Sequence, residues 1–336
     1  MSGTKWDIRW PELSSEGKEL KVLLTGYAGL LGRHLARALM KEDYYIRVLL
    51  HRRTVARQDF VKEAHEVVWG SLDDKEVVRR AVKGVQVVVH SAWGFSPPLA
   101  PRPTVNETGT ELLLKESARA GVKNLAFISS VAVYGMKSSA NPIVESSSVA
   151  EREEGDFIYP SEKRRVEEIL NSFNKKKIRT GIFRSGPIFD EERGLIKKII
   201  TIGALSLGIG IGNGRNRMAY IHADDTASAV IKWLKSDKGN LVLNVTPTRC
   251  LKHRVWYRNW GRVHGIRLKP VFVPGALVRL AAFAVKILKK ILGRESRGDV
   301  KYAVACSTRD LGYSNEFIKK SLGWSDQATA EYTREA

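Results

Sequence analysis

The chain has 336 residues, of which 43% are hydrophobic and 27% charged, and its formal net charge is +20. This composition excludes a fibrous or disordered protein, and the length predicts a large α/β domain with an appended lobe, or two domains. The positive charge can attract nucleic acid, anionic lipid or phosphorylated metabolites. Because the chain shows no helix-turn-helix, zinc-finger or aromatic RNA-binding pattern, we expect no specific nucleic-acid partner.

The cysteines and the N-terminal residues indicate a cytoplasmic protein. Cys250 and Cys306 lie far apart and outside any CxxC or Cys/His spacing, which favours neither a zinc site nor a disulfide framework. Residues 1–20 are rich in charge and lack the apolar stretch of a signal peptide. We therefore expect an N-terminal extension over 1–20, no metal site and a cytoplasmic location.

From residue 21, short apolar runs alternate with amphipathic stretches, a pattern typical of βαβ units and a parallel sheet. It predicts an α/β fold with a Rossmann-type doubly wound parallel sheet. The predicted strands are Lys21 to Leu24, Ile46 to Leu50, Val67 to Trp69, Gln86 to His90, Asn124 to Ser129 and Thr180 to Arg184. The predicted helices are Gly29 to Glu42, Lys75 to Val82, Val105 to Ala120 and Tyr159 to Asn174.

The regular alternation loosens after Arg184, where a glycine-rich run from Gly203 to Gly214 precedes another α/β passage and a mainly helical C-terminal part. This change predicts a smaller, mainly helical C-terminal substrate lobe. We assign residues 21–184 to the dinucleotide-binding domain, with 218–248 packing back on it. Residues 185–217 and 249–330 then form the substrate lobe.

A glycine-rich turn follows the first predicted strand and opens the first helix. Gly26 allows the tight turn, Gly29 lets the backbone approach a pyrophosphate, and Gly32 permits close packing of helix on strand. The helix N-terminus offers unpaired N–H groups to the phosphates. The turn therefore predicts a dinucleotide site formed by Thr25, Gly26, Ala28, Gly29, Leu30, Leu31 and Gly32.

The end of the second strand bears on the choice of cofactor. An acidic residue here would bond the ribose hydroxyls of NAD, but the chain reads His51-Arg52-Arg53. A guanidinium suits the 2′-phosphate of NADP through charge-assisted bonds, so we predict that NADP(H) is favoured over NAD(H). The alternative is that Arg52 and Arg53 are only surface cations and NAD is bound less selectively.

Tyr159 and Lys163 are four residues apart at the start of a predicted helix and share one face of it. A phenol titrates near pH ~10 and is a poor acid or base at neutral pH unless a nearby cation stabilises its phenolate. Lys163 can supply that cation. Taken alone, the spacing also fits a solvated surface pair.

The glycine turn, Ser130 and Tyr159-x-x-x-Lys163 occur in an order that resembles the extended short-chain dehydrogenase/reductase family, including its NAD-dependent epimerases and dehydratases. The likeness spans roughly residues 20 to 325. It implies that Tyr159 exchanges a proton with the substrate oxygen, that Lys163 lowers the pKa of this tyrosine and bonds the nicotinamide ribose, and that Ser130 orients the oxygen. It also implies that the cofactor contacts His51, Arg52, Arg53, Ser71, Leu72, Ser91, Ala92, Trp93, Asn106, Ser129, Tyr159, Lys163, Ser185 and Pro187.

The chain departs from the family pattern at three places. The third-strand motif usually carries an aspartate that contacts adenine, whereas this chain reads Gly70-Ser71-Leu72-Asp73-Asp74. Glu162 stands before the lysine where serine or threonine is usual, and we expect it to face solvent. Met218-Ala219 stands where sugar-nucleotide enzymes often have Arg-Asp. Among other polar residues, His90 and His222 are interpreted as structural histidines, Asp224 and Asp225 as helix-capping residues, and Glu145 as a solubilising glutamate rather than a further acid or base.

Three functions therefore stay open. The first is an epimerase, dehydratase or reductase of a nucleoside-diphosphate sugar. The second is a dehydrogenase or ketone reductase for a hydroxysteroid-like or other lipid alcohol, and the third is a non-catalytic sensor of the cofactor. The family resemblance also makes a homodimer plausible.

Residues 274–294 form a basic amphipathic stretch with two interpretations. Leu277, Leu280 and Ala281 lie on one predicted helical face, with Arg279 and Lys286 opposite. Such a helix can lie on a membrane surface, and its charges exclude a spanning segment. The alternative, which we favour from sequence, is a lobe helix packed over the substrate pocket.

Overall fold

The computed structural model describes residues 20–51, 64–94, 96, 103–135, 142–150, 158–173, 178–191, 207–291 and 300–334, and only the backbone of 286–291 and 300–303. The predicted N-terminal extension lies outside this range except for Leu20. Arg52 and Arg53, on which the prediction of NADP(H) rests, also lie outside it.

The strands form a large sheet and three small pairs. The large sheet has seven parallel strands in the order β11-β6-β5-β4-β1-β2-β3, which confirms the Rossmann-type fold class. The six predicted strands all lie in it, and β11 is added beside β6. The strands are β1 Lys21–Thr25, β2 Tyr45–Leu50, β3 Glu66–Trp69, β4 Val87–His90, β5 Asn124–Ser130, β6 Arg179–Ser185, β7 Ile188–Phe189, β8 Leu207–Ile211, β9 Arg217–Met218, β10 Ile221–His222, β11 Leu241–Val245, β12 Leu251–Lys252 and β13 Lys269–Val273.

Helices cover both faces of the sheet. One hydrophobic core joins α1 and α5 to one face, and a second joins α2, α3 and α4 to the other. The four predicted helices begin and end within two residues of their predicted bounds. The helices are α1 Leu30–Met40, α2 Lys75–Val82, α3 Val105–Arg119, α4 Tyr159–Ser172, α5 Ala223–Lys235, α6 His253–Val263, α7 Gly275–Ile291, α8 Val300–Thr308, α9 Glu316–Leu322 and α10 Gln327–Thr333.

Local sequence explains where these helices begin. Asp74 caps α2 because its carboxylate accepts hydrogen bonds from the backbone N–H groups of Glu76 and Val77, at 3.0 and 3.2 Å. At α3 the Glu107 carboxylate accepts from the Thr104 N–H at 2.6 Å. Pro160 lies in the first turn of α4, where a missing N–H costs nothing. Pro160 therefore favours the start of the helix that carries Tyr159 and Lys163.

The strand order places a crevice at the carboxyl ends of β1 and β4. From β1 the strand order runs through β2 to β3 towards one edge of the sheet, and from β4 it runs through β5 to β6 towards the other edge. The connections that follow β1 and β4 therefore lead away from each other and leave a gap between them. In open α/β sheets, ligands bind at such a switch point. Thr25 ends β1 and His90 ends β4, which positions the glycine turn and the residues after His90 at this crevice.

The apolar face predicted for residues 274–294 is exposed in the part of α7 whose side chains are described, and the packing of this helix over the substrate pocket stays a prediction. Leu277, Leu280 and Phe283 are 56%, 66% and 62% exposed. The half-buried positions are Gly275, Val278 and Ala282, on the opposite side of the helix. The apolar face of α7 therefore points away from the rest of the described chain. No helix among the described residues is long and apolar enough to span a membrane.

Candidate functional site

The glycine turn is built so tightly that two of its glycines cannot carry a side chain. Gly26 has φ +78°, and a Cβ there would lie 2.5 Å from the backbone nitrogen of Ala92. A Cβ on Gly32 would lie 2.1 Å from the carbonyl oxygen of Gly26. Gly29 is the N-cap of α1 and has no side-chain capping bond, and the first turn carries no acidic residue. The N-terminus of α1 therefore suits an anionic phosphate group.

A cavity of about 790 Å³ opens beside this turn. That volume lies within the usual range for cofactor sites. Eight other described residues of the predicted cofactor set do not line it. Leu30 and Gly32 line neither this cavity nor its neighbour, and the remaining six line the neighbouring cavity: Leu31, Ser129, Tyr159, Lys163, Ser185 and Pro187. The predicted cofactor residues that do line it are Thr25, Gly26, Ala28, Gly29, His51, Ser71, Leu72, Ser91, Ala92, Trp93 and Asn106.

His90 is a structural histidine, as the sequence predicted. Its Nδ1 lies 2.7 Å from the hydroxyl of Thr25 and its Nε2 lies 3.0 Å from the hydroxyl of Thr110. Because the Thr110 hydroxyl donates to the carbonyl of Asn106, it can only accept from His90, which fixes the neutral tautomer with the proton on Nε2. Burial, followed by the positive charge of Lys163, lowers the pKa of His90 to about 3. This histidine fastens β1 to α3 beneath the cavity at the glycine turn.

Ser130, Tyr159 and Lys163 come together around a second cavity, of about 570 Å³. Tyr159 is the first residue of α4 and Ser130 is the last residue of β5. The packing of these two elements therefore brings Tyr159 and Ser130 together. The Lys163 ammonium donates to the carbonyl of Ile128 at 2.7 Å and lies 3.5 Å from the centre of the Trp93 ring. The surface-pair alternative is excluded, because Lys163 is buried and Tyr159 lines the cavity.

Burial dominates the acid–base properties of this site. It raises the pKa of Tyr159, and a hydrogen bond with Ser130 partly offsets that increase. Burial also lowers the pKa of Lys163 well below its usual value, while the charges of Glu167 and Glu162 act in the opposite direction. The lowering of the Tyr159 pKa by Lys163, which the resemblance implies, stays a prediction.

Glu162 does not face solvent, which corrects our expectation. It is 1% exposed, and its carboxylate accepts from the Ser96 hydroxyl at 2.6 Å and from the Asn106 amide at 3.2 Å. Asn106 also bonds the carbonyl and the N–H of Gly94, each at 2.9 Å. The expectation failed because glutamate is usually exposed. Here the carboxylate instead fixes the segment that borders the cofactor cavity.

A buried network that the sequence did not reveal lies below Ser129. The Ser129 hydroxyl donates to the Glu167 carboxylate at 2.5 Å, and Arg184 binds the same carboxylate at 2.7 Å. Arg184 also donates to the Tyr134 hydroxyl at 2.8 Å. Both ions of the pair are buried. The Ser129 hydroxyl is thus used within the protein, and its contact with a cofactor stays a prediction.

Three other acidic residues have structural partners. Glu145 is half-buried and accepts from the backbone N–H of Asn244 at 2.8 Å, so it joins a loop to β11 instead of only solubilising it. His222, and not an aspartate, is the N-cap of α5, which corrects the predicted cap. Asp225 accepts from the backbone N–H of Thr329 at 2.6 Å and fastens α10, while Asp224 lies 2.6 Å from a ring nitrogen of His34.

The second cavity continues from the predicted catalytic residues into the C-terminal part of the chain. Ser185 and Pro187 line it near Tyr159. Its far wall is mostly apolar or aromatic and carries two arginines. No motif revealed these residues because they come from separate segments. They are Gly210, Ile211, Arg217, Met218, Ala219, Tyr220, His253, Tyr257, Cys306, Ser307, Arg309, Leu311 and Tyr313.

Among the described residues, no group of three or more His, Cys, Asp or Glu side chains could hold a metal ion. The site consists of two neighbouring cavities. The first adjoins an uncapped helix N-terminus, and the second contains a phenol, an ammonium and a hydroxyl. Trp93 and Ser91 line both cavities, so a molecule in one can reach a molecule in the other.

Known proteins resemble this chain in sequence and fold. A model of the NAD dependent epimerase/dehydratase family matches residues 22–246. The protein y4nG of Sinorhizobium fredii is 28% identical over 216 residues, which cover 62% of this chain and 52% of that protein. The chain thus spans about half the length of that relative.

Two other relatives cover nearly the whole chain. A 4-hydroxy-2-methyl-3-oxo-4-farnesyl-3,4-dihydroquinoline-1-oxide ketoreductase of Stigmatella aurantiaca is 21% identical, over 92% of this chain and 93% of the relative. The structure of UDP-glucose 4-epimerase from Thermotoga maritima superposes with a TM-score of 0.72 at 19% identity, over 94% of this chain and 96% of that one. At this identity the superposition shows the fold.

Proposed function

Since the chain belongs to the NAD-dependent epimerase/dehydratase family and is a nicotinamide-dependent enzyme, we propose that it exchanges a hydride with a secondary alcohol or ketone held beside Tyr159. One observation carries this proposal. Ser130, Tyr159 and Lys163 line a single cavity, and that cavity shares Ser91 and Trp93 with the cavity at the glycine turn. A non-catalytic sensor would not require these three side chains to converge.

The three residues have distinct roles in the proposed reaction. A bound nicotinamide cofactor would supply or accept the hydride. In the reducing direction Tyr159 donates its proton to the substrate oxygen, and burial favours this protonated form by raising its pKa. In the oxidising direction Tyr159 takes up that proton, and the Ser130 hydrogen bond and the Lys163 charge stabilise the phenolate that precedes it.

The first candidate substrate is a nucleoside-diphosphate sugar. Arg217 and Arg309 line the substrate cavity and provide positive charge for an anionic substrate. The superposition on a UDP-glucose 4-epimerase agrees with this candidate. Epimerisation and dehydration begin with the same hydride step, so these reactions are included.

The second candidate is an apolar alcohol or ketone. Met218, Tyr257 and Leu311 contribute to the far wall of the cavity, and apolar substrates bind to such walls. The Stigmatella relative is named as a ketoreductase of a farnesylated compound, which agrees with this candidate. The absence of Arg-Asp before Tyr220 also favours it.

Cofactor-linked turnover distinguishes the candidates. UDP- and GDP-sugars and a panel of hydroxysteroid and long-chain ketones are offered to the enzyme with each oxidised and reduced cofactor. Turnover or thermal stabilisation with one class assigns the substrate class. If no member of either panel changes cofactor oxidation or melting temperature, the small molecules retained after gentle purification are identified by mass spectrometry. Recovery of neither an alcohol nor a carbonyl compound would refute the proposal.

We propose that NADP(H) is favoured over NAD(H) because no carboxylate follows β2 and Arg52 and Arg53 stand there in the sequence. The ratio of kcat/KM for the two cofactors tests this preference. A clear preference for NAD would overturn it. We also propose a cytoplasmic location, with which two cysteines that form no disulfide, Cys250 and Cys306, agree, and a homodimer, which light scattering of the purified protein tests.

We further propose that the exposed face of α7 rests on an anionic lipid surface. Leu277, Leu280 and Phe283 are more than half exposed, and the helix sequence contains four basic residues and no acidic one. Anionic lipid complements this charge, and the +20 net charge strengthens the attraction.

Vesicle co-sedimentation tests this contact. The wild type should bind vesicles with anionic lipid, less so at high salt, and the L277Q/L280Q variant should bind at least ~10-fold more weakly, because it loses apolar burial in the interface. The K232Q/K238Q variant, altered on the exposed surface of α5 and just after it, is the control. The proposal would be contradicted if L277Q/L280Q bound vesicles as well as the wild type, or if the wild type did not bind them. It would also be contradicted if the protein formed a dimer that this variant abolished, since the face would then be a subunit interface.

A further inference from the structure

A third cavity, of about 730 Å³, has a strongly basic lining. It lies between α6, the β9–β12 pair and the end of α10. We call it the arginine groove. Among the described residues, the charged side chains that line it are all cationic. They are Arg217, Arg249, Lys252, Arg258, Arg262 and Arg334.

Two of these cations, both on α6, are placed where like charges repel each other. Arg258 and Arg262 are four residues apart on one face of α6, and like charges at this spacing destabilise a helix by about 0.2–0.5 kcal/mol. Lys252 is the N-cap of the same helix, whose first turn holds no acidic residue, so the positive end of the helix dipole adds to the charge. Among the described residues, the Asp310 carboxylate lies 4.0 Å from Arg217.

The groove is distinct from the substrate cavity but is connected to it. Val255, Asn259 and the two helix arginines line the groove, whereas His253 and Tyr257, on the opposite side of α6, line the substrate cavity. Arg217 lines both. A ligand in the groove therefore contacts a residue that also faces the substrate.

We propose that the arginine groove binds the phosphate or diphosphate group of an organic phosphate, and that Arg217 links this site to the substrate cavity. Guanidinium groups bind phosphate oxygens through paired, charge-assisted hydrogen bonds. Buried Asn259 shapes the groove, because its amide donates to the carbonyl oxygens of Tyr332 and Arg334 at 2.9 and 3.1 Å and holds the chain end against α6.

Phosphate binding in the groove does not depend on the proposed function, whereas the connection to the substrate through Arg217 rests on it. A phosphorylated apolar compound would place its chain in the substrate cavity, and a nucleoside diphosphate would place its base and sugar there. Both present the same chemical group to the groove. The positive charges of the groove indicate a phosphate-bearing ligand. Titration with both kinds of compound distinguishes a nucleoside diphosphate from a phosphorylated apolar compound.

Calorimetric titration tests the site on protein saturated with nicotinamide cofactor, so that the cofactor cavity is filled. The probes are inorganic pyrophosphate, UDP and farnesyl diphosphate. We expect the wild type to bind all three, more weakly at high salt, and the R258Q/R262Q variant to bind each at least ~10-fold more weakly, since two charge-assisted contacts are lost. Tighter binding of UDP or of farnesyl diphosphate than of pyrophosphate identifies the source.

K232Q/K238Q serves as the control because it removes the same charge from exposed positions on α5 and just after it, away from the groove. It should bind the probes as the wild type does. The proposed site would be overturned if the wild type did not bind pyrophosphate, or if R258Q/R262Q bound the probes as tightly as the wild type. Equal weakening of binding in the K232Q/K238Q control would also overturn it. Cofactor-linked turnover by the wild type on the substrate panels shows separately whether the proposed function holds.

Discussion

The cofactor cavity and the far wall of the substrate cavity differ in how the chain builds them. The first is formed largely by short segments at the ends of neighbouring strands, above all the turn from Thr25 to Gly32. The second is formed by residues between 210 and 220, at 253 and 257, and between 306 and 313. Phosphate binding needs backbone N–H groups and close approach, which a local motif encodes. Substrate selection needs shape, which distant segments supply together.

The two regions also differ in how firmly their elements are buried. β1 and β4 are almost wholly buried and are held by the Thr25–His90 pair, whereas α7 exposes Leu277 and Leu280. We therefore expect substitutions around the sheet to act on stability and cofactor binding. Substitutions in the C-terminal part should act on substrate and partner binding. The following predictions test the first part of this division, and the α7 and arginine-groove variants test the second.

The largest effect on stability is expected from Arg184→Leu. The substitution leaves Glu167 as a buried charge without its guanidinium partner, which costs about 3–5 kcal/mol. Urea denaturation measures the free energy of unfolding. Lys115→Gln is the control, because Lys115 and Glu111 form an exposed helix pair whose loss costs at most about 0.5 kcal/mol. A loss below ~1 kcal/mol in Arg184→Leu would show that the network is not important for stability.

A smaller effect, about 1–3 kcal/mol in stability, is expected from Gly32→Ala because its Cβ would overlap the Gly26 carbonyl oxygen. The displaced turn should also weaken cofactor binding at least ~10-fold. Fluorescence titration and thermal unfolding measure the two effects. Gly239→Ala is the matched control, since a Cβ there meets no atom within 4 Å. Normal cofactor affinity in Gly32→Ala would contradict the role of the turn.

His90 should make stability depend on pH. Its pKa of about 3 in the folded chain is below the unfolded value near ~6.5, so the unfolded chain binds more protons between these limits. The stabilisation is complete above pH ~6.5 and is lost as pH falls toward the folded value. Between pH ~7 and ~5 this amounts to about 2 kcal/mol. His90→Gln should remove that part of the slope, and an unchanged slope would refute the assignment.

The smallest effect is expected from Glu162→Gln, which keeps the shape of the side chain and removes its charge. Glu162 raises the pKa values of Lys163 and Tyr159. Its loss should therefore move the alkaline limb of the kcat–pH profile to lower pH by less than about one unit. Glu162→Ser should in addition weaken cofactor binding, because the contact to Asn106 is lost. A profile that both variants leave unchanged would assign Glu162 a packing role only.

The sequence predicted the sheet, its flanking helices and the residues at the cofactor cavity because their signals are local. Gly26 and Gly32 are required by close backbone contacts, and the apolar runs of β1 and β4 reflect burial on both faces. Glu162 and Glu167 were missed because burial of a carboxylate depends on partners such as Ser96 and Arg184 that no periodicity reveals. The far wall of the substrate cavity could not be predicted for the same reason.

The central claim is that Tyr159 transfers the proton that accompanies hydride exchange. The measurement that tests it most directly is kcat of Tyr159→Phe relative to wild type, on the substrate that the turnover panels identify. We expect kcat to fall at least ~100-fold, because general acid–base catalysis contributes that much, while the dissociation constant of the cofactor stays within about twofold. Unchanged kcat in Tyr159→Phe would contradict the proposed mechanism.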